Sequence, residues 1–301
     1  MDHVKEKQVK DTTKQMYLKN MTRLNDGEEV KDLGFLKDTK KIESKLSKYK
    51  PNSKRTYLIS IVSVLKDVKG FAEIYKHYYD EMMKLNTELK VNNTKSDTQK
   101  ENWLSQDEVR QRFAEMFNDV KPLFTLKKLN EEQYKKFLNL VVLSLYVLQP
   151  VRRNKDYQLM RVVPNTKKIT SIPDYKDFNY LDLSTQKFLF YNFKTSGTYH
   201  LQEIDVSLEL YHILSTFLKF HPNKKAKDYM LLVDFEGKPF IQINSITRIL
   251  NKIFGKNVGV SLLRNIFLTD EFGTEFKKLQ KTATAMGTSA STIQDNYIKI
   301  D

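Results

Sequence analysis

Cysteine is absent from the 301 residues. Its absence excludes disulfides, a thiolate nucleophile and the cysteine-based structural zinc sites. Histidine is scarce: His3, His77, His200, His212 and His221 are scattered, with no pair at metal-ligand spacing. No run reaches the roughly eighteen apolar residues that a membrane-crossing helix needs. The most apolar segment, Phe137 to Leu148, is interrupted by Asn139 and Ser144, which marks a buried core helix. Met1 to Lys10 is charged throughout and carries no secretory signal.

Positive charge is abundant. Lys and Arg number 51 against 37 Asp and Glu, a net charge of +14. Such a balance favours a polyanionic partner, most often nucleic acid, although a solvated lysine-rich surface gives the same number. Hydrophobic residues make up 40% of the chain, enough for an ordinary core in two modest domains or one large one.

The first hundred residues read as helices. Met16, Tyr17, Met21 and Leu24 put a helical period on Asp11 to Leu24. Ser53 is a candidate cap for a second helix running to about Val68, with Tyr57, Leu58, Ile61, Val64 and Leu65 on its inner face. After Gly70, Phe71 to Leu89 carries Ile74, Tyr75, Tyr78, Tyr79, Met82 and Leu85 at helical spacing. From Asn93 the sequence turns polar and loses its period, so residues 93–104 read as a linker. Ser105 and Glu108 then form a capping-box pattern that opens a second domain. The division expected is therefore 1–92, a helical domain; 93–104, a linker; and 105–301. Trp103, the only tryptophan, is expected to pack the linker onto the second domain.

The second domain reads as mainly helical with one small antiparallel sheet. Helices are expected at Gln106–Asn118, Asn130–Leu148, Leu208–Phe220, Ser245–Phe254, Ser261–Thr269 and from Ser289 to the end. Strand patterns cover Tyr180–Leu183, Lys187–Phe193 and Thr198–Ile204.

Four signals carry chemistry, each weak alone. Pro150-Val151-Arg152-Arg153-Asn154-Lys155-Asp156-Tyr157 puts two arginines directly after the buried helix, where they are ordinarily solvated. Phe193-Lys194-Thr195 places a lysine between two strand-like runs, a common turn residue. Leu262-Leu263-Arg264-Asn265 sets an arginine in an apolar helical run, where a salt bridge is the usual explanation. Met286-Gly287-Thr288 is followed nine residues later by Tyr297, a packing residue in the ordinary reading.

In this order and spacing the four resemble the tyrosine recombinase (phage-integrase) family. Proline before a doubled arginine is similar to recombinases of large DNA viruses and their mobile elements. The resemblance implies a helical core-binding domain in 1–92 and an α+β catalytic domain in 105–301. It implies Arg153 as the first catalytic arginine, with Arg152 the alternative, and Asp156 as the acidic partner. Lys194 corresponds to the hairpin lysine, Arg264 to the second arginine and Tyr297 to the nucleophile. Ser261 and Thr288 stand where the family has imidazole or, at the second position, tryptophan. Neither titrates near neutral pH, though each can donate a hydrogen bond to a phosphate oxygen.

The implied activity is site-specific recombination or integration through a covalent 3′-phosphotyrosine, with no metal and no cofactor. The implied partner is double-stranded DNA, held by a homotetramer that is monomeric when free, with no membrane association. The location implied is intracellular, wherever the target DNA lies. Lys50, Lys54 and Arg55, with Asn244, Ser245 and Arg248, are candidate phosphate contacts at helix starts. Only Ile298 to Asp301 follow the tyrosine, so protomer contacts are expected from the helical domain unless the chain was shortened. Two other readings remain open: a type IB topoisomerase with the same Arg, Lys, Arg, Tyr chemistry, and a relative that binds DNA without cutting it.

Overall fold

The computed structural model describes residues 7–91, 94–242 and 244–299. The backbone divides into two compact units, Met1–Lys95 and Ser96–Asp301.

The first unit is helical: α1 (Asp11–Leu24), α2 (Thr39–Leu46), α3 (Pro51–Leu65) and α4 (Ala72–Val91). Met21, Leu36, Leu46, Ile61, Val64 and Tyr78 are among the residues that close its core. Two buried polar groups are satisfied inside it: Asn20 donates to Ser60 Oγ at 2.9 Å, and the Tyr78 hydroxyl to the Leu36 carbonyl at 2.9 Å. The helix expected to be capped by Ser53 begins two residues earlier, at Pro51. Proline suits that first position because its missing N–H has no intrahelical partner there and its φ is already helical.

The stretch expected to be a linker is in part a helix, α5 (Asp97–Asn102). Ser96 and Gln99 form a reciprocal capping box, a local signal stronger than the polar composition around it. The second unit therefore begins at Ser96 rather than at Ser105. Asn92 and Asn93 lie outside the described residues. Trp103 is packed against the core of the second unit. The Ser105–Glu108 box caps α6 (Gln106–Val120) as expected, and α7 (Glu131–Val147) is the buried helix.

Beyond α7 come the single turn α8 (Asn154–Gln158), β1 (Met160–Val163), β2 (Asn179–Asp182), β3 (Lys187–Phe190), the short turn α9 (Ser196–Tyr199), β4 (Gln202–Asp205), α10 (Leu208–Leu218), β5 (Tyr229–Met230) and α11 (Ser245–Phe254). The long helix α12 (Val260–Ala285) and the turn α13 (Ala290–Thr292), continued by a π turn over Ile293–Tyr297, complete the unit. The strands form one sheet in the order β4-β3-β2-β1-β5.

The sheet is mixed, not antiparallel as expected, because β1 pairs parallel to β2. Their connection runs through 3-10 turns at Thr166–Ser171 and Tyr175–Asp177, a crossover long enough to bring the chain back in the same direction. The third strand expected, Thr198–Ile204, is confined to Gln202–Asp205, because Ser196–Tyr199 is helical and His200 has φ 54° and ψ −150°. That backbone region favours glycine and costs a side-chain-bearing residue about 1–3 kcal/mol.

His221 follows α10, almost fully buried against Tyr229 and Phe217. Burial pushes its imidazole pKa down to about 4. The unfolded chain then takes up a proton near 6.5 that the folded chain refuses until about 4, so stability falls as pH drops through that window. The expected loss is roughly 3 kcal/mol. Urea melts between pH 7 and 4 should show it, and a His221→Gln variant should show a flatter profile.

Candidate active site

The buried helix α7 ends at Val147, and the chain emerges through Pro150 into Arg152 and Arg153. The two neighbours do different things. Arg152 turns inward. Its Nε donates to Asp156 Oδ2 at 2.9 Å, and both side chains are largely buried. Its Nη1 donates to Gln202 Oε1 at 3.0 Å on β4. The guanidinium carbon lies 3.7 Å from the centre of the Phe190 ring and 5.3 Å from that of Phe193. One cation thus ties α8, β3 and β4 together, using charge, hydrogen bonds and ring faces.

Arg153 is half-buried and, among the described residues, its guanidinium has no ion-pair or hydrogen-bond partner. The same holds for Arg264, near the start of α12. Burial pulls the Arg264 pKa below its ordinary value, and the neighbouring Arg153 charge pulls it further the same way. Asp156 opposes this and Arg152 adds to it. Two guanidinium groups therefore share one electrostatic neighbourhood with no anion between them. Such a pair holds fixed, permanently charged forks suited to a phosphate.

Asp156 is buried under this pair. Burial raises its carboxyl pKa, and the charges of Arg152 and Arg153 work against that rise. The α8 turn carrying it is held from three sides. Asn154 donates to Thr247 Oγ1 on α11 at 3.0 Å and accepts from the Tyr146 hydroxyl at 3.3 Å. Asn179 on β2 donates to the Asp156 carbonyl and to the Asn192 carbonyl, each at 2.9 Å. Gln158 donates to the carbonyls of Phe240 and Gln242, each at 2.7 Å.

Lys194 lies in the connection between β3 and β4, exposed. Both feet of that connection meet Arg152, through Phe193 before it and Gln202 after it. Lys194 is thereby kept on the arginine side of the sheet. Ser261 is exposed one helical turn before Arg264, and Thr288 is half-buried after Gly287, whose φ of 66° turns the chain out of α12. Tyr297 ends the π turn with its residue 64% exposed. The structure brings Arg152, Arg153, Asp156 and Arg264 together and sets Lys194 beside them. Nothing within the chain packs Tyr297 against them. The helix expected from Ser289 to the end is limited to these turns, and Ile300 and Asp301 lie outside the described residues.

The candidate phosphate contacts are not all free. Lys50 is exposed at the start of α3, but Lys54 stands 3.8 Å from Glu81 and Arg55 donates to Asn86. Arg248 donates to Gln242 Oε1 at 3.1 Å. Asn244 is exposed and Ser245 half-buried. A concavity of about 760 Å³ lined by Asn102, Asn251, Lys252 and Asn257 shares no residue with the arginine cluster. Among the described residues, no group of three His, Asp or Glu side chains could hold a metal ion, and no helix is long and apolar enough to cross a membrane.

Sequence reasoning missed Gln202, Phe190 and Asn179. Their partners are dozens of residues away in sequence or across the sheet, and no spacing rule marks them. Comparisons with protein-family models, with curated proteins and with solved structures find no significant match to this chain.

Proposed function

We propose that the protein is a site-specific DNA recombinase that cleaves and rejoins DNA through a covalent bond between Tyr297 and a 3′-phosphate. The observation that supports this best is the half-buried, unpaired pair Arg153 and Arg264, braced from below by Arg152 and Asp156. In this reading the two free guanidinium groups hold the non-bridging oxygens of the scissile phosphate. They oppose the negative charge that grows there as the phosphorus becomes five-coordinate. Arg153 is the reactive member of the doublet, because Arg152 already has a carboxylate, an amide and two aromatic faces.

The Tyr297 oxygen attacks phosphorus as its phenolic proton leaves to water. The bond from phosphorus to the 5′-oxygen breaks, and Lys194 supplies that oxygen with a proton. A second 5′-hydroxyl then reverses the step on a new strand. The net charge of +14 supports a polyanionic partner, and Lys50 on the helical unit is a surface cation suited to phosphate.

The test is a duplex that traps the intermediate, nicked so that the cleaved end diffuses away. Incubated in EDTA, wild-type protein should give an adduct that survives denaturing electrophoresis, and Arg264→Ala should give almost none. Sequence-specific binding with no adduct from wild type would turn the reading into that of a DNA-binding relative. Relaxation of plasmid without strand exchange would move it to topoisomerase.

A further inference from the structure

We infer that Tyr297 of one copy serves the arginine pair of a second copy, and that the outer half of α12 docks on that copy. The inference rests on the proposed function.

Arg264 stands near the start of α12, which continues unbroken to Ala285. At 1.5 Å per residue the helix carries the chain roughly 32 Å beyond Arg264. The turns over Ala290–Tyr297, even if they ran straight back along α12, would recover only about 12 Å. The Arg264 side chain also leans toward the helix start, away from the tyrosine. A gap of roughly 20 Å is left, more than the two side chains can span. The site within one chain therefore has arginines and no nucleophile in reach.

The segment that carries the nucleophile away is itself built to be covered. Leu268, Phe272 and Phe276 are exposed by 47%, 54% and 43%, and they fall four residues apart on one face of α12. Lys277, Lys278 and Lys281 are exposed on the opposite face. A helix patterned in this way ordinarily buries its apolar stripe, yet within the chain this stripe has no cover. A second copy is the occupant that the incomplete site selects: what one chain's arginines lack is what this segment of another brings. The lysine face is left for the DNA that both copies hold. With a net charge of +14 on each chain, free copies repel, so the docking belongs to the DNA-bound state.

The step balances as in one chain. The phenolic oxygen of the donor copy bonds to the phosphorus held by the acceptor's Arg153 and Arg264, and its proton leaves to water. The bond to the 5′-oxygen breaks, and the acceptor's Lys194 protonates that oxygen.

Mixing two variants on the nicked duplex tests this. Tyr297→Phe supplies only arginines, and Arg264→Ala supplies only a tyrosine, so each alone gives little or no adduct. An equal mixture should recover roughly a quarter of the wild-type adduct, since one site in four pairs an intact acceptor with an intact donor. A size tag should show that the Arg264→Ala chain carries the DNA. An inactive mixture beside an active wild type would overturn the inference and mean that the tyrosine reaches its own arginines. An inactive wild type would remove the functional reading, and this inference with it. Gly273→Ala gives a second readout. A methyl group there meets only Thr269 Cγ2, at 3.5 Å, so alanine fits and stiffens α12. Adduct formation should persist in this variant; its loss would mean that α12 breaks at Gly273 to close the site within one chain.

Discussion

Arg153→Ala lowers single-turnover cleavage by about a hundred- to thousandfold, the size of effect seen when one preorganised donor to a transition-state oxyanion is removed. Its thermal midpoint stays unchanged or rises slightly. The reason for both is the same: the guanidinium has no partner within the described residues and lies in the field of a like charge at Arg264. Removing it relieves repulsion in the free protein and removes a ligand from the bound phosphate. Arg153→Lys recovers little of the rate, because an ammonium cannot reproduce a two-pronged contact. The double variant Arg153→Ala with Arg264→Ala loses less than the product of the single losses, since the two donors act on one phosphate. Adduct yield against time and a melt of each variant check all three statements. A variant that melts many degrees lower while cleaving normally would show that Arg153 is a structural residue.

Asp156→Ala behaves in the opposite way. The Arg152–Asp156 pair is buried, and the alanine leaves a guanidinium with an amide and two aromatic faces but no counter-charge. Breaking such a pair from one side costs about 3–5 kcal/mol. For a unit of this size the transition should move down by roughly ten degrees. Cleavage should fall as well, because the β3–β4 connection that carries Lys194 is anchored on Arg152. Removing both partners, as Arg152→Met with Asp156→Leu, should restore part of the stability, since no unpaired charge is left buried. It should not restore cleavage. A loss below about 1 kcal/mol in Asp156→Ala would mean that the pair is worth no more than an exposed one.

The helical first unit was legible because its apolar residues recur at helical spacing over long stretches, as in Asp11–Leu24, where pattern and fold agree. Capping chemistry was legible where it was sought, at Ser105, and overlooked where polar composition suggested a linker, at Ser96. The sheet was legible only in part. β1 and β5 are four and two residues long, too short for an alternation to stand out. The parallel pairing of β1 and β2 depends on a crossover whose turns carry no clear period.

The arginine cluster shows the same division. The residues themselves were found from their order along the chain. Their separate tasks were not, because Arg152 and Arg153 are chemically identical and only three-dimensional packing tells them apart. Phe190, Phe193 and Gln202 make that distinction, and each reaches Arg152 from far along the sequence. The length of α12 was also hidden. The expected end at Thr269 follows the loss of a buried stripe, yet the helix continues to Ala285 with its apolar residues in solvent.

The most direct measurement is the identity of the residue that carries the DNA. Wild-type protein trapped on the nicked duplex in EDTA would be digested, and the peptide bearing the nucleotide sequenced by mass spectrometry. The account predicts a single modified peptide with the phosphate on Tyr297, and no adduct from Tyr297→Phe under the same conditions. An adduct on another residue, or one that persists in Tyr297→Phe, would contradict it.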